Sequence, residues 1–121
     1  MNRSKTKGTL WESAIIEYLK SRGVRYAERR ALSGNLDRGD IAGIPGVVIE
    51  AKNARAFDLA GWLAEAEAER LNDRATVGVV WAKKRGKTSA AHGYVIMDGE
   101  TLVDLLIEAG YIRPSDAAGA G

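Results

Sequence analysis

The stretch Gly39–Lys52, with the sequence GDIAGIPGVVIEAK, is the most informative part of this chain. Within it, Val47–Lys52 is a short apolar run rich in β-branched residues, and it follows the turn residues Pro45-Gly46. This pattern predicts a β-strand. Because side chains alternate across a strand, Glu50 and Lys52 share one face. A carboxylate and an ammonium group therefore stand side by side on a strand that is otherwise apolar.

A second acid, Asp40, precedes another short apolar piece, Ile41-Ala42. A turn over residues 43–46 can fold this piece back antiparallel to Val47–Lys52, which would bring Asp40 close to Glu50. Two carboxylates suit a hard cation such as Mg²⁺, and Lys52 could offset phosphate charge or orient a water for phosphodiester hydrolysis. The alternative is an ordinary strand whose charged side chains pair at the surface.

Length and composition favour a soluble globular protein. The 121 residues suit one domain, with 45% hydrophobic and 28% charged residues. Cysteine is absent, which excludes disulfides and thiolate metal sites, and the single histidine argues against a histidine-rich zinc site. No apolar segment follows the basic N-terminus and no apolar run approaches about 20 residues, so we expect neither a signal peptide nor a membrane span. We expect a cytoplasmic protein.

The net charge of +2 is unevenly distributed. Residues 1–30 carry eight Lys or Arg against three Glu, whereas residues 57–73 carry five acids against one Arg. The run Lys83–Lys87 adds four positive charges. One basic side suits a protein that binds a phosphate backbone, although basic runs are as often only solvated loops.

Periodicity and turn residues predict the order helix, three strands, helix, two strands, helix. The predicted domain is 9–113, between a mobile basic segment 1–8 and a disordered tail 114–121. Its helices are Thr9–Arg22, Ala56–Asn72 and Glu100–Ala109, and its strands are Val24–Arg30, Ile41-Ala42, Val47–Lys52, Ala75–Ala82 and Gly93–Met97.

The second predicted helix has a wide apolar arc, and its acids Asp58, Glu65 and Glu69 are expected on the opposite, polar side. Glu67 falls inside that arc, where a partly exposed glutamate is expected. The residues assigned to the apolar arc are Phe57, Ala60, Leu63, Ala64, Ala68 and Leu71.

Glu12 lies inside the apolar arc of the first predicted helix, between Ile16 and Leu19 on the helical wheel. One explanation is a capping box, Thr9-x-x-Glu12, in which Glu12 reaches back to the Thr9 amide at the start of the helix. The other is that Glu12 points towards the carboxylates Asp40 and Glu50.

Asp40, nine intervening residues and Glu50-Ala51-Lys52 together resemble the PD-(D/E)xK motif of restriction-endonuclease-like nucleases, with Gly39 where the motif has proline. The element order αβββαββα is also that of their core, a mixed five-stranded sheet flanked by helices. Within this superfamily the chain is similar to the archaeal-type Holliday junction resolvases, which carry a glutamate on the first helix and an arginine followed by Ser-Gly after the first strand. Here these are Glu12 and the segment Arg29–Gly34.

The resemblance implies a Mg²⁺-dependent, homodimeric endonuclease that cleaves branched DNA, in the first place four-way junctions, with Mn²⁺ able to substitute. Flaps or ends are alternative substrates, and a non-catalytic nucleic-acid-binding module is the alternative of another class. It also implies a cytoplasmic enzyme of a bacterium, an archaeon or a phage-infected cell. The implied catalytic residues are Glu12, Asp40, Glu50 and Lys52, and the implied metal ligands are Asp40, Glu50, the carbonyl of Ala51, and Glu12 directly or through water. The expected DNA-binding residues are Arg29, Arg30, Ser33, Arg38, Lys83, Lys84, Arg85 and Lys87.

Overall fold

A computed structural model describes residues 3–30 and 36–114 of the chain, without the side chains of residues 3–5. It is an α/β structure in which a five-stranded mixed sheet is flanked by three helices. The elements are α1 (Arg3–Ser21), β1 (Glu28–Arg29), β2 (Ile41–Ala42), β3 (Val47–Lys52), α2 (Leu59–Asp73), β4 (Val77–Ala82), a 3₁₀ turn (Ala90–His92), β5 (Tyr94–Ile96) and α3 (Gly99–Glu108).

The strands lie in the sheet in chain order, β1-β2-β3-β4-β5. The first three strands pair antiparallel, β3 and β4 pair parallel, and β5 returns antiparallel to β4. The parallel pair needs a crossover, which α2 supplies. The predicted element order and the bounds of β2 and β3 are confirmed.

The two faces of the sheet carry separate apolar clusters, because side chains of β3 and β4 alternate between them. On one face α1 buries Trp11 and Ile15 against Ile49 and Val79. The indole of Trp11 also donates a 2.9 Å hydrogen bond to the Trp81 carbonyl. On the other face α2 packs Trp62 and Ala66 against Val80 and Ala82.

The orientation of α2 differs from the prediction. Trp62, Ala66 and Glu69 are its buried residues, and Leu71 is 61% exposed. Trp62 alone buries more apolar surface than several alanines, so it sets the face that packs on the sheet. Glu69 lies seven residues on from Trp62, two helical turns, and is carried to the same face. The expectation that Glu69 lies on the polar side is therefore wrong, whereas Glu67 is exposed as expected.

The first helix begins at Arg3 and not at the predicted Thr9. Residues 3–8, predicted as a mobile segment, are helical. Gly8 costs a helix only about 1 kcal/mol relative to alanine, which is too little to end it. Thr9 therefore lies inside the helix, and the capping-box interpretation of Glu12 is wrong.

The first strand is shorter than the predicted Val24–Arg30, since only Glu28–Arg29 pairs with β2. The Val24 amide donates to the Leu19 carbonyl at 2.9 Å, which holds this segment to the end of α1 instead of the sheet edge. The predicted tail lies outside the described residues from position 115 onward. Among the residues described, no helix is long and apolar enough to cross a membrane.

Candidate metal and nucleic-acid site

Asp40 and Glu50 are brought together by the pairing of β2 with β3. Ile41 pairs with Ile49, so the preceding residue, Asp40, comes opposite Glu50. The Asp40 amide donates to the Ile49 carbonyl at 2.9 Å, and the Asp40 Oδ2 accepts a 2.8 Å hydrogen bond from the Ala51 amide. The strand pairing therefore fixes both the backbone and the carboxylate of Asp40 beside the end of β3.

Gly39 allows this approach because its backbone has φ of +96° and lies against β3. A Cβ atom there would be 2.8 Å from Val48 Cγ1 and 3.2 Å from the Ile49 carbonyl oxygen. Proline, with φ fixed near −65°, cannot adopt this conformation. Its missing N–H would also forgo the 2.9 Å hydrogen bond that Gly39 donates to Asp37 Oδ1. The glycine at the proline position of the motif is thus required by the local geometry.

Glu50 does not face solvent but faces α2, where Glu69 meets it. The two residues are 6% and 3% exposed. Within the described part of the chain, the Oε2 atom of each is buried without a hydrogen-bond partner. Asp37 completes a group in which one carboxylate oxygen from each residue lies within 4.8 Å of the others. Asp37 is exposed and accepts from Gly39, but the buried pair of Glu50 and Glu69, whose Oε2 atoms lack a donor, requires a proton or a cation to be stable.

Burial raises the pKa of Glu50 strongly, and its contacts with Glu69 and Asp40 raise it further. The pKa of Glu69 is also raised, first by burial and then by the charges of Asp37 and Asp40, although its contact with Glu50 works in the opposite direction. Ionising both neighbouring carboxyls in this buried environment is unfavourable in free energy. The same arrangement becomes favourable when a divalent cation lies between the oxygens.

Lys52 points to the same face as Glu50 but forms its shorter contact with α2. Its Nζ donates to Glu65 Oε2 at 2.9 Å and lies 3.8 Å from Glu50 Oε1. Burial favours the neutral amine, yet the Glu65 hydrogen bond and the Glu50 charge outweigh it and raise the pKa of Lys52. Lys52 is therefore held by Glu65 in the charged form, which is suited to meeting a phosphate charge.

Glu12 lies on α1, within range of the charge of Asp40. Its Oε2 is 3.5 Å from Arg29 Nε, and its side chain is 19% exposed. Burial and the charge of Asp40 raise the pKa of Glu12, while Arg29 lowers it. Glu12 thus pairs with Arg29 and is coupled to the acidic site through the charge of Asp40.

The residues expected to bind DNA are distributed over different surroundings. Arg29 is exposed and pairs with Glu12, whereas Arg30 forms a 3.1 Å ion pair with Asp73. The Nε of Arg38 is buried and has no partner in the described ranges. Ser33 lies outside the described residues. The basic loop is described in full: Lys84, Arg85 and Lys87 are exposed and Lys83 is half-buried.

Two residues of the site, Asp37 and Glu69, were missed by the sequence analysis. The signal for Glu69 was its spacing from Trp62, since residues 62, 66 and 69 form one helical stripe. Asp37 carried no comparable signal, because it is brought to the site by a loop without periodicity.

Comparison with known proteins gives no match to this chain among family models, curated proteins or solved structures.

Proposed function

We propose that this protein is a metal-dependent endonuclease of the restriction-endonuclease-like type, which hydrolyses phosphodiester bonds in branched DNA. The observation that carries the proposal is the convergence of Asp40, Glu50 and Lys52, with the Glu50 Oε2 atom buried and lacking a donor. A surface strand with paired charges would not bury a carboxylate beside two further acids.

The donor set fits a divalent cation. Asp40 and Glu50 offer carboxylate oxygens, and the unpartnered Oε2 atoms of Glu50 and Glu69 supply negative charge without a competing donor. Oxygen ligands of this kind are preferred by Mg²⁺ and Mn²⁺. Glu69 joins the set of residues that would hold the ion. Glu12 would bind the ion through a water or would add negative charge near it.

The chain's own side chains supply positioning and charge. A divalent cation in such a site polarises a phosphate and lowers the pKa of a bound water. Lys52 would leave Glu65 to contact the scissile phosphate, and its ammonium would stabilise the charge that develops there. Glu12 would hold Arg29 or a water beside Asp40. No serine, cysteine or histidine lies among these residues, so direct attack by water is proposed and no covalent intermediate.

The element order αβββαββα and the motif residues support the relation to the archaeal-type junction resolvases, for which a four-way junction is the first substrate to test. Symmetric cleavage of a junction needs two active sites, so we propose a homodimer. Its support is α3, which contains five large aliphatic residues yet no buried residue. Leu102 and Val103 are 47% and 44% exposed there.

The test is cleavage of a labelled four-way junction in Mg²⁺, in Mn²⁺ and in EDTA, beside linear duplex and flapped duplex of the same sequence. We expect cleavage that depends on the cation and on the branch. Glu50→Gln should abolish cleavage while junction binding is retained. Glu67→Gln is the matched control, because Glu67 is exposed on α2 and pairs only with Arg70 in the described structure. Binding without cleavage by the wild type in either metal would favour a non-catalytic module.

A further inference from the structure

A groove of about 980 Å³ opens where α1, β5 and the loops after β3 and β4 meet. Its lining is positively charged: five of the lining residues are cations, and none of those described is acidic. Within residues 3–30 and 36–114, none of these five forms an ion pair. The cations are Lys7, Arg55, Lys83, Lys84 and Arg85. Such a surface suits a polyanion, whose phosphates release counterions on binding.

Aromatic rings are exposed among these cations. Phe57 and Tyr94 are 41% and 46% exposed, and their ring centroids lie 5.8 Å apart in an edge-to-face arrangement. The rings of Trp62 and Phe57 pack with their centroids 5.0 Å apart. Lys84 Nζ lies 5.9 Å from the Tyr94 ring centroid. Leu10, 66% exposed, lines the same groove from α1. The groove therefore offers apolar and aromatic surface directly beside positive charge.

The groove begins one residue beyond Lys52, at the end of β3, and the acids of the candidate metal site do not line it. Asn53, which follows Lys52 at the end of β3, lines it. Lys83 lines it from the end of β4, and its amide donates to the Lys52 carbonyl at 2.9 Å. A chain lying in the groove would thus pass the ends of the two parallel strands, beside Lys52.

We propose that this groove binds an unpaired segment of single-stranded DNA, with bases against Phe57 and Tyr94 and phosphates against the surrounding cations. Aromatic side chains and a positive groove are the combination that single strands require, because their bases expose faces for stacking. A duplex would meet the cations equally well, but its bases are already stacked and leave the aromatic rings unused. An acidic peptide would likewise contact the cations and leave the aromatic rings unused.

The consequence of this inference for the substrate class rests on the proposed function. If the groove holds an unpaired strand next to the metal site, the preferred branch has a single-stranded arm at the cleavage point. Flapped or forked DNA then becomes a better substrate than a fully paired junction. The binding property itself does not depend on catalysis.

The experiment measures binding by fluorescence anisotropy in EDTA, so that cleavage cannot occur. The probes are a labelled 20-nucleotide oligothymidine, a labelled duplex of equal length and a labelled polyglutamate. The variants are Phe57→Leu and Tyr94→Leu, which retain apolar packing but remove the stacking face. Tyr111→Leu is the control, since Tyr111 is 82% exposed and is not among the groove residues. Thermal unfolding verifies that each variant is folded.

We expect the single strand to bind at least about tenfold more tightly than the duplex or the polyglutamate. Each aromatic variant should weaken single-strand binding by about tenfold, as expected when one base can no longer stack. Duplex binding and the Tyr111→Leu variant should change by less than about twofold. Equal affinity for strand and duplex, or aromatic variants with unchanged strand affinity, would overturn the inference. Failure of all cleavage with intact strand preference would overturn only the proposed nuclease activity.

Discussion

Glu50 on β3 and Glu69 on α2 face each other across the packing interface, and each has a buried Oε2 atom without a hydrogen-bond partner in the described chain. Sheet and helix are otherwise joined here by apolar contacts of Trp62, Ala66 and Val80 and by the Lys52–Glu65 hydrogen bond. Folding without a cation must therefore bury two carboxyl groups side by side, and their Oε2 atoms lack a donor unless the two groups share a proton. Such groups destabilise a protein by about 1–3 kcal/mol each. Removing one of the two acids should therefore change both the stability of the metal-free protein and its stabilisation by a cation, and this tests the cation site.

We expect Glu69→Gln to raise the melting temperature of the metal-free protein. The amide can donate to Glu50 and removes one buried acid, a change of about 1–3 kcal/mol in the free energy of unfolding. The same variant should lose most of the stabilisation that Mg²⁺ or Mn²⁺ gives the wild type. Thermal unfolding with EDTA and with each metal measures both effects, and Glu67→Gln should show neither. A Glu69→Gln protein with the full metal-induced shift would remove Glu69 from the site.

Lys52 should affect the rate of cleavage and not the affinity for DNA. In the proposed reaction Lys52→Ala removes the ammonium that would lie beside the scissile phosphate, and such groups contribute about 10²-fold or more to rate. Glu65→Gln removes the negative charge that pairs with Lys52 but keeps an acceptor oxygen, and it should leave cleavage within a few-fold of wild type. Single-turnover rates and dissociation constants in Ca²⁺ separate the two quantities. A rate reduction explained wholly by weaker binding would make Lys52 an ordinary backbone contact.

Gly39→Ala should be more destabilising than the same change at another glycine with positive φ. Gly86 is the matched control, because its φ is +81° but no atom lies within 4 Å of the added Cβ. Backbone strain alone costs about 1–3 kcal/mol at either position. Gly39→Ala adds the close approach to Val48 and the Ile49 carbonyl, so urea denaturation should show a larger decrease in stability. Equal decreases would mean that β2 and β3 can shift to accept the methyl group.

The part of the site that could be predicted from sequence lies on the two paired strands. Alternation along β3 and the turn before it were enough to place Asp40 opposite Glu50. Glu69 could not be placed in this way, because its position depends on which face of α2 packs. The face of α2 that packs on the sheet is the one that carries the single large side chain, Trp62, although the alanines are more numerous. The start of α1 was predicted too late, because Thr9 and Glu12 have the spacing of a capping box although both lie inside the helix.

The basic loop should contribute to DNA affinity unevenly. Lys83, Lys84 and Arg85 line the groove, whereas Lys87 does not. For a single strand, removing one phosphate-binding cation should reduce the log–log salt slope of binding by about 0.7. We expect this reduction for Lys84→Ala and for Arg85→Ala, and almost none for Lys87→Ala. Identical salt slopes for all three variants would show that the loop acts only through its overall charge.

Glu12 can act on the site in two ways, because it pairs with Arg29 and is within range of the charge of Asp40. If Glu12 holds the cation's water or adds charge near the metal, Glu12→Gln should lower cleavage sharply and raise the Mg²⁺ concentration required. If Glu12 only positions Arg29, then Arg29→Gln should reproduce the lower cleavage, without a change in Mg²⁺ demand. We expect the first result, since burial and the Asp40 charge both raise the pKa of Glu12 despite Arg29.

The matched control for this prediction is Glu17→Gln, because Glu17 is exposed on the same helix. Glu17→Gln should change the free energy of unfolding by less than about 0.5 kcal/mol. Glu12→Gln should change it by no more than about 1 kcal/mol, because it loses the ion pair with Arg29 but no helix cap. Cleavage titrated from limiting to saturating Mg²⁺ distinguishes the two roles. Wild-type activity of Glu12→Gln at limiting Mg²⁺ would reduce the active site to Asp40, Glu50, Lys52 and Glu69.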